Sequence, residues 1–384
     1  MNLRNLLVEN LPGMDTEIGA VVLALLLGLI PALLVVLAVV TPVGLLGVYA
    51  ERRISAKMQD RSGPNRVGVA IGHFRYSLWG LGQSVADGLK LLGKEDFIPP
   101  HGERFLFLAA PLIVFGGSIA LFAVLPFSTG LQPIDPNVGI FYVLSIGALE
   151  VIGVLMAGWA SNNKWSLLGA MREVAQVVSY EIPMGLAALC PVLLAGSLKL
   201  STIIESQTHV NIWGLTMPGG DWGLGWNVFA AFPLNIIAFV IFYTCCLANL
   251  KRAPFDLPEC ESELVAGFLT EYSGMRWGLF FLGEYAAMFA LSGIAATIFL
   301  GGWTGPVHAF AVHFIGVEKG GIGDIAAGAI EFTWKTAALF LLMMQVRWTL
   351  PRLRLDQVMS LCYKYLVPAA MLCMLGCGLA ALVR

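Results

Sequence analysis

Charge is scarce in this chain. Only 12% of its 384 residues are Asp, Glu, Lys or Arg, against about 25% in an average soluble domain. Hydrophobic residues make up 58%, and mean hydropathy is +0.78. One large soluble core is excluded, and an integral membrane protein is implied. Metal-ligand spacing is also lacking. Cys190, Cys245, Cys246, Cys260, Cys362, Cys373 and Cys377 form no CxxC and no Cys/His pattern, so they read as small buried apolar residues. There is no dinucleotide fingerprint, no haem or iron–sulfur pattern and no nucleophile–base arrangement. RSGPNRVG at 61–68 is a turn cluster without the Gly-Lys-Ser/Thr ending of a phosphate-binding loop. His73, His101, His209, His308 and His313 are scattered through connections and read as surface or packing residues. No internal repeat is visible. Redox chemistry would need electrons from another subunit.

What is present is a series of long apolar runs. A helix needs about 20 mostly apolar residues to cross a bilayer. Eight segments qualify, at 18–48, 105–125, 138–160, 174–196, 228–247, 277–300, 328–350 and 360–383. The expected fold is an all-α polytopic membrane protein with eight transmembrane helices. The first run is too long for a secretory h-region, so no cleavable leader is expected there. The apolar patch at 309–315 is too short to span. Most of the 23 basic residues fall in connections 1–2, 3–4, 5–6 and 7–8, which places these connections in the cytoplasm, or in the matrix of an organelle, and both termini outside. Trp213, Trp222, Trp226 and Trp303 lie in the even connections and suggest an outer aromatic belt. The 1–2 connection, 49–104, carries Phe74, Leu78, Leu81, Val85, Leu89 and Leu92 at helical spacing within 73–95. That predicts amphipathic helices along the membrane surface. Asp87 falls among these apolar positions.

Acids inside apolar runs are costly, about 2.5–3.5 kcal/mol on insertion scales, and commonly mark proton relays. Glu150 sits mid-run in span 3. Glu173 and Glu181 are two helical turns apart at the start of span 4 and share a face. Glu284 lies in span 6. The 5–6 connection, 248–276, adds Asp256, Glu259, Glu261, Glu263 and Glu271, interleaved with Phe255, Leu257, Leu264, Val265, Phe268 and Leu269. The apolar residues favour burial. Asp256 is expected to cap a short helix with Glu259, Glu263 and Glu271 on one side. Acids packed this closely would repel, so that some hold protons near neutral pH.

Several stretches together resemble one family: ERRISAKMQDRSGPNRVG (51–68), GLGQSVADGLKLLGKE (80–95), EVAQVVSYEIPMGL (173–186), KRAPFDLPECESELVAGFLTEYSG (251–274) and VRWTLPRLRLDQVMSLCYKYLVP (346–368). They resemble the quinone-chamber membrane subunit of proton-pumping NADH:quinone oxidoreductase, respiratory complex I. This is the H subunit in bacteria and subunit 1 in mitochondria. The resemblance implies a chamber at the membrane surface that admits ubiquinone or menaquinone as substrate. Arg52, Arg61, Asp87, Phe255, Phe268 and Arg347 would line the chamber or its neck. The family's acidic path would fall on Glu150, Glu173, Glu181, Asp256, Glu259, Glu261, Glu263, Glu271 and Glu284. NADH, flavin and iron–sulfur clusters are expected in partner subunits, and no metal here. The implied partners are peripheral-arm subunits with the terminal cluster, small membrane subunits, antiporter-like pumping subunits and the lipid bilayer, with no nucleic acid. A bacterial inner membrane is implied, or the mitochondrial one if organellar. The Gly-rich connection at 301–327 departs from the shorter organellar form and points to a bacterial protein.

Three other readings stay open. A related membrane subunit of an energy-converting hydrogenase would lack quinone. A stand-alone ion transporter often carries an internal repeat. A purely structural anchor would leave the membrane acids unexplained.

Overall fold

A computed structural model describes residues 39–383, except 66, 68, 72–73, 77–78, 213–214, 218–221, 224, 259–260, 315 and 317–319. Among the described residues six helices are long and apolar enough to cross a membrane. They are α3 (Arg104–Phe122), α4 (Gly139–Ala160), α5 (Lys164–Ala195), α9 (Gly274–Phe299), α11 (Ile322–Thr349) and the run Leu355–Leu382. That last run is α12 (Leu355–Leu361), a π turn (Cys362–Leu366) and α13 (Val367–Val383). The expected fifth span is a shorter apolar helix, α7 (Leu234–Asn249). Of the expected first span, 18–38 lies outside the described residues. Its continuation, α1 (Thr41–Met58), runs well past 48 and carries Glu51 and Arg52.

Two further boundaries move for physical reasons. The fourth span begins ten residues early, at Lys164, because Asn163 caps it by accepting the Trp165 N–H at 3.0 Å. The predicted surface helix does not start at 73. Val69–Ile71 (β1) and Phe74–Tyr76 (β2) form an antiparallel hairpin, and the helix is α2 (Gly82–Gly93). A second hairpin pairs β3 (Val210–Ile212) with β4 (Leu215–Met217). The fold is therefore helical with two small hairpins. Short helices α6 (Leu200–Ser206) and α10 (Pro306–Phe314) complete one end.

Backbone contacts separate two ends. At the basic end Glu103 donates to Ala160 and Leu353 to Pro254, while Asn163 donates to the Glu271 carboxylate at 2.8 Å. At the other end Ile140 donates to Leu198 and Val228 to Phe299. The central element is α9, whose residues from Tyr285 to Phe299 are all buried. A helix apolar all round belongs in the middle of a bundle. The expected outer belt is corrected in part: Trp222 is exposed, but Trp303 is buried and Trp226 packs against Lys335. Trp213 lies outside the described residues.

Candidate functional site: a buried chain of alternating charge

At the basic end, consecutive residues Lys251 and Arg252 follow α7 and turn into the bundle. Both are buried. The segment holding them is clamped by Gln176 of α5, whose amide donates to the carbonyls of Ala248 at 2.7 Å and Phe255 at 2.9 Å.

Lys251 serves two carboxylates. Its ammonium lies 3.1 Å from Glu150 of α4 and also pairs with Glu173 of α5, which is 1% exposed. Arg252 serves two others. It donates to both oxygens of Glu51 at 3.0 and 2.8 Å and lies 2.5 Å from Glu284 of α9. Glu51 also pairs with Arg347 of α11 and accepts the Tyr285 hydroxyl. The Arg252 guanidinium lies over the Tyr285 ring. Within each cluster cations and carboxylates alternate, so each buried charge has an opposite partner. Removing one partner of such a pair typically costs about 3–5 kcal/mol.

Two small cavities join these groups. One, of about 30 Å³, is lined by Glu150, Glu173 and Lys251. The other, of about 20 Å³, is lined by Glu150, Lys251, Phe268 and Glu284. A water needs roughly 10–15 Å³ of such space and two to four polar partners. Each cavity has room for one, with the Glu150–Lys251 pair as the shared wall.

The acidic connection differs from expectation. Residues 253–258 are not helical, α8 (Glu261–Leu264) is one turn, and Gly267–Leu269 is a 3₁₀ turn. No single helix carries these acids on one side, and those described do not crowd one another. Asp256 pairs with Arg352 at 3.3 Å, Glu263 with Arg172 at 2.6 Å, and Glu271 with Asn163. Beside the exposed Glu263, the Arg172 guanidinium holds the carboxyl below its ordinary range by hydrogen bond and charge. Glu259 and the Glu261 side chain lie outside the described residues. Glu181 stands apart from the chain, with Oε1 against Gly147 of α4.

Of the six expected chamber residues, two meet directly. Arg52 pairs with Asp87 of α2 at 2.5 Å. Arg61 is exposed and donates to Gln59 at 2.7 Å. Arg347 joins the charge chain. Phe255 is buried edge-on against Tyr180, and Phe268 packs against Phe280 and faces Lys251. Phe268 thus stands beside the Lys251 cluster and lines one of its cavities.

Sequence reasoning missed Glu51, Lys251 and Arg252 as members of the chain. A signal existed for Glu51. It falls on the buried stripe Gly44, Gly47, Glu51, Ser55, whose small residues mark close helix packing.

The NADH dehydrogenase family pattern matches residues 30–377. The chain belongs to that family. The H subunit of the Anaeromyxobacter dehalogenans NADH-quinone oxidoreductase is 46% identical over 335 residues, covering 85% of this chain and 75% of the relative. Its counterpart in Chlorobaculum parvum is 47% identical over 327 residues, 85% and 84%. The counterpart in Bacteroides thetaiotaomicron is 41% identical over 354 residues, 91% and 89%. The family and its apolar helices make this a membrane protein of the NADH dehydrogenase system.

Proposed function

We propose that this chain is the H-type membrane subunit of a bacterial NADH-quinone oxidoreductase, and that its buried charge chain couples quinone reduction to proton movement. The supporting observation is the continuity of ionisable groups. From Arg347 and Glu51 they pass through Arg252 to Glu284, and through adjacent Lys251 to Glu150 and Glu173. The two water-sized cavities supply gaps that a proton could cross.

On this reading eight helices span the inner membrane, the first arising from 18–48, with the basic connections inside and the termini outside. Ubiquinone or menaquinone is admitted at the basic end, near Arg52, Arg61, Asp87, Phe255, Phe268 and Arg347. Peripheral subunits deliver electrons from NADH through flavin and iron–sulfur clusters. Reduction leaves negative charge or removes protons near Arg347 and Glu51, and the alternating ions respond in turn. Asp256, Glu259, Glu261, Glu263 and Glu271 border the chamber, and Glu181 lies on the way toward small membrane and antiporter-like subunits.

The test is Lys251→Met in the assembled complex. NADH-driven quinone reduction and proton uptake by vesicles should both fall by about tenfold or more, an effect of about 1.4 kcal/mol on the barrier. NADH oxidation by ferricyanide, which bypasses quinone, should persist. Undiminished proton pumping by this variant would refute the coupling role. Quinone retained in the purified complex separates this reading from a hydrogenase subunit.

A further inference from the structure

At the end opposite the charge chain, a second buried ion pair sits on α11. Glu331 and Lys335 are one turn apart, 3.1 Å between charges, and both are essentially inaccessible. The Lys335 ammonium also donates to three backbone carbonyls: Leu300 at 2.7 Å, Gly302 at 3.1 Å and Thr304 at 2.6 Å. A further neighbour is the Trp226 ring, 4.5 Å away.

The carbonyls belong to the turn that ends α9. Gly301 and Gly302 adopt positive φ there, +77° and +53°, a conformation open to glycine at little cost. It aims alternate carbonyls at one point. Glu331 completes the knot by accepting the Val307 N–H at 2.8 Å, at the start of α10. A Cβ at Gly305 would lie 2.8 Å from the Glu331 carboxyl carbon and 2.9 Å from the ammonium. Glycine is what lets the backbone close over the pair.

We infer that Lys335 is a positioning residue: a tethered cation that fixes α11 against the end of α9 and so sets Arg347 against Glu51. This rests on the function proposed above. α9 and α11 are tied twice. Lys335 holds the far end, and Arg347, Glu51 and Tyr285 meet at the basic end. Lys335 and Arg347 ride on one helix, about 18 Å apart along its axis. Between the ties the contacts are mostly apolar, such as Phe289 on Phe340, and apolar contacts are non-directional. The polar ties therefore fix the axial register.

A double-mutant cycle in the assembled complex tests this, using Lys335→Met, Arg347→Gln and the pair. Sites this far apart are additive unless coupled. Each single variant should lower kcat for NADH-driven quinone reduction by about tenfold with KM unchanged, while ferricyanide reduction holds. The double variant should be no slower than Arg347→Gln alone. A roughly hundredfold loss in the double variant, the additive result, overturns the positioning role. So does a change confined to KM. An Arg347→Gln complex with full quinone activity instead removes the coupling reading beneath it. Should Lys335→Met fail to assemble, Gly305→Ala takes its place in the cycle, where the same additive result is decisive.

Discussion

At Asp87 two effects oppose each other. Partial burial pushes its carboxyl upward. The hydrogen bond and charge of Arg52, with help from Gln83 and Lys90, more than offset this and hold it below the ordinary 3.8. A carboxyl with a lower pKa folded than unfolded stabilises the fold above the unfolded value, and the contribution disappears as pH falls through the folded one. The anchoring of α2 to α1 should thus survive mild acid and weaken only below the ordinary aspartate range. Hydrogen exchange of α2 amides, followed as pH is lowered, should show protection falling late. In Asp87→Asn protection should be lower near neutrality and lack that acid step; an unchanged profile would remove the pair from the account. The same scale shows where sequence reading stops. The carboxylates are visible one by one, but Arg252 and Glu51 lie 201 positions apart. Such pairing belongs to tertiary packing, and local spacing carries no trace of it.

Among elements, the helices are legible because each needs a long apolar run, and the bilayer fixes its length. The acidic connection is not. Its apolar residues signal burial at four of six positions: Phe255, Leu257, Leu264 and Phe268 are buried, Leu269 is half-buried and Val265 is exposed. Helical spacing misleads, however, where the chain makes turns. The reason is visible at Gly169 of α5. A Cβ there would lie 2.8 Å from the Gly267 Cα and 3.1 Å from the Phe268 nitrogen. Backbone packs on backbone, which a local pattern cannot announce. Gly169→Ala should destabilise the complex by about 1–3 kcal/mol through overpacking, seen as a lower melting temperature. Gly88→Ala in α2, with open space around the new methyl, should be neutral or stabilising by up to ~1 kcal/mol. Equal melting temperatures for the two variants would contradict this packing.

For the whole molecule, the bundle is asymmetric. Around α9 the interior is continuous, whereas α13 leaves Leu372, Leu375, Leu379 and Leu382 exposed. Their spacing places them on one face. In a membrane this face meets lipid chains, and outward apolar residues are the expected arrangement. A nitroxide on Leu379→Cys, in the complex embedded in lipid nanodiscs, should collide readily with oxygen and poorly with a water-soluble nickel chelate. One on Ala238→Cys, inside the bundle, should meet neither. Poor oxygen access at 379 would place a partner subunit there instead.

The glutamine clamp on the 248–255 segment carries a mechanical consequence. One amide grips both ends of a short strip of backbone, and Lys251 and Arg252 stand side by side on the strip between. Each is stretched toward two carboxylates on different helices. With both ends held by one side chain, the strip is a single backbone mount for its two cations, and the acids around Lys251 and those around Arg252 are seated on the same short piece of chain.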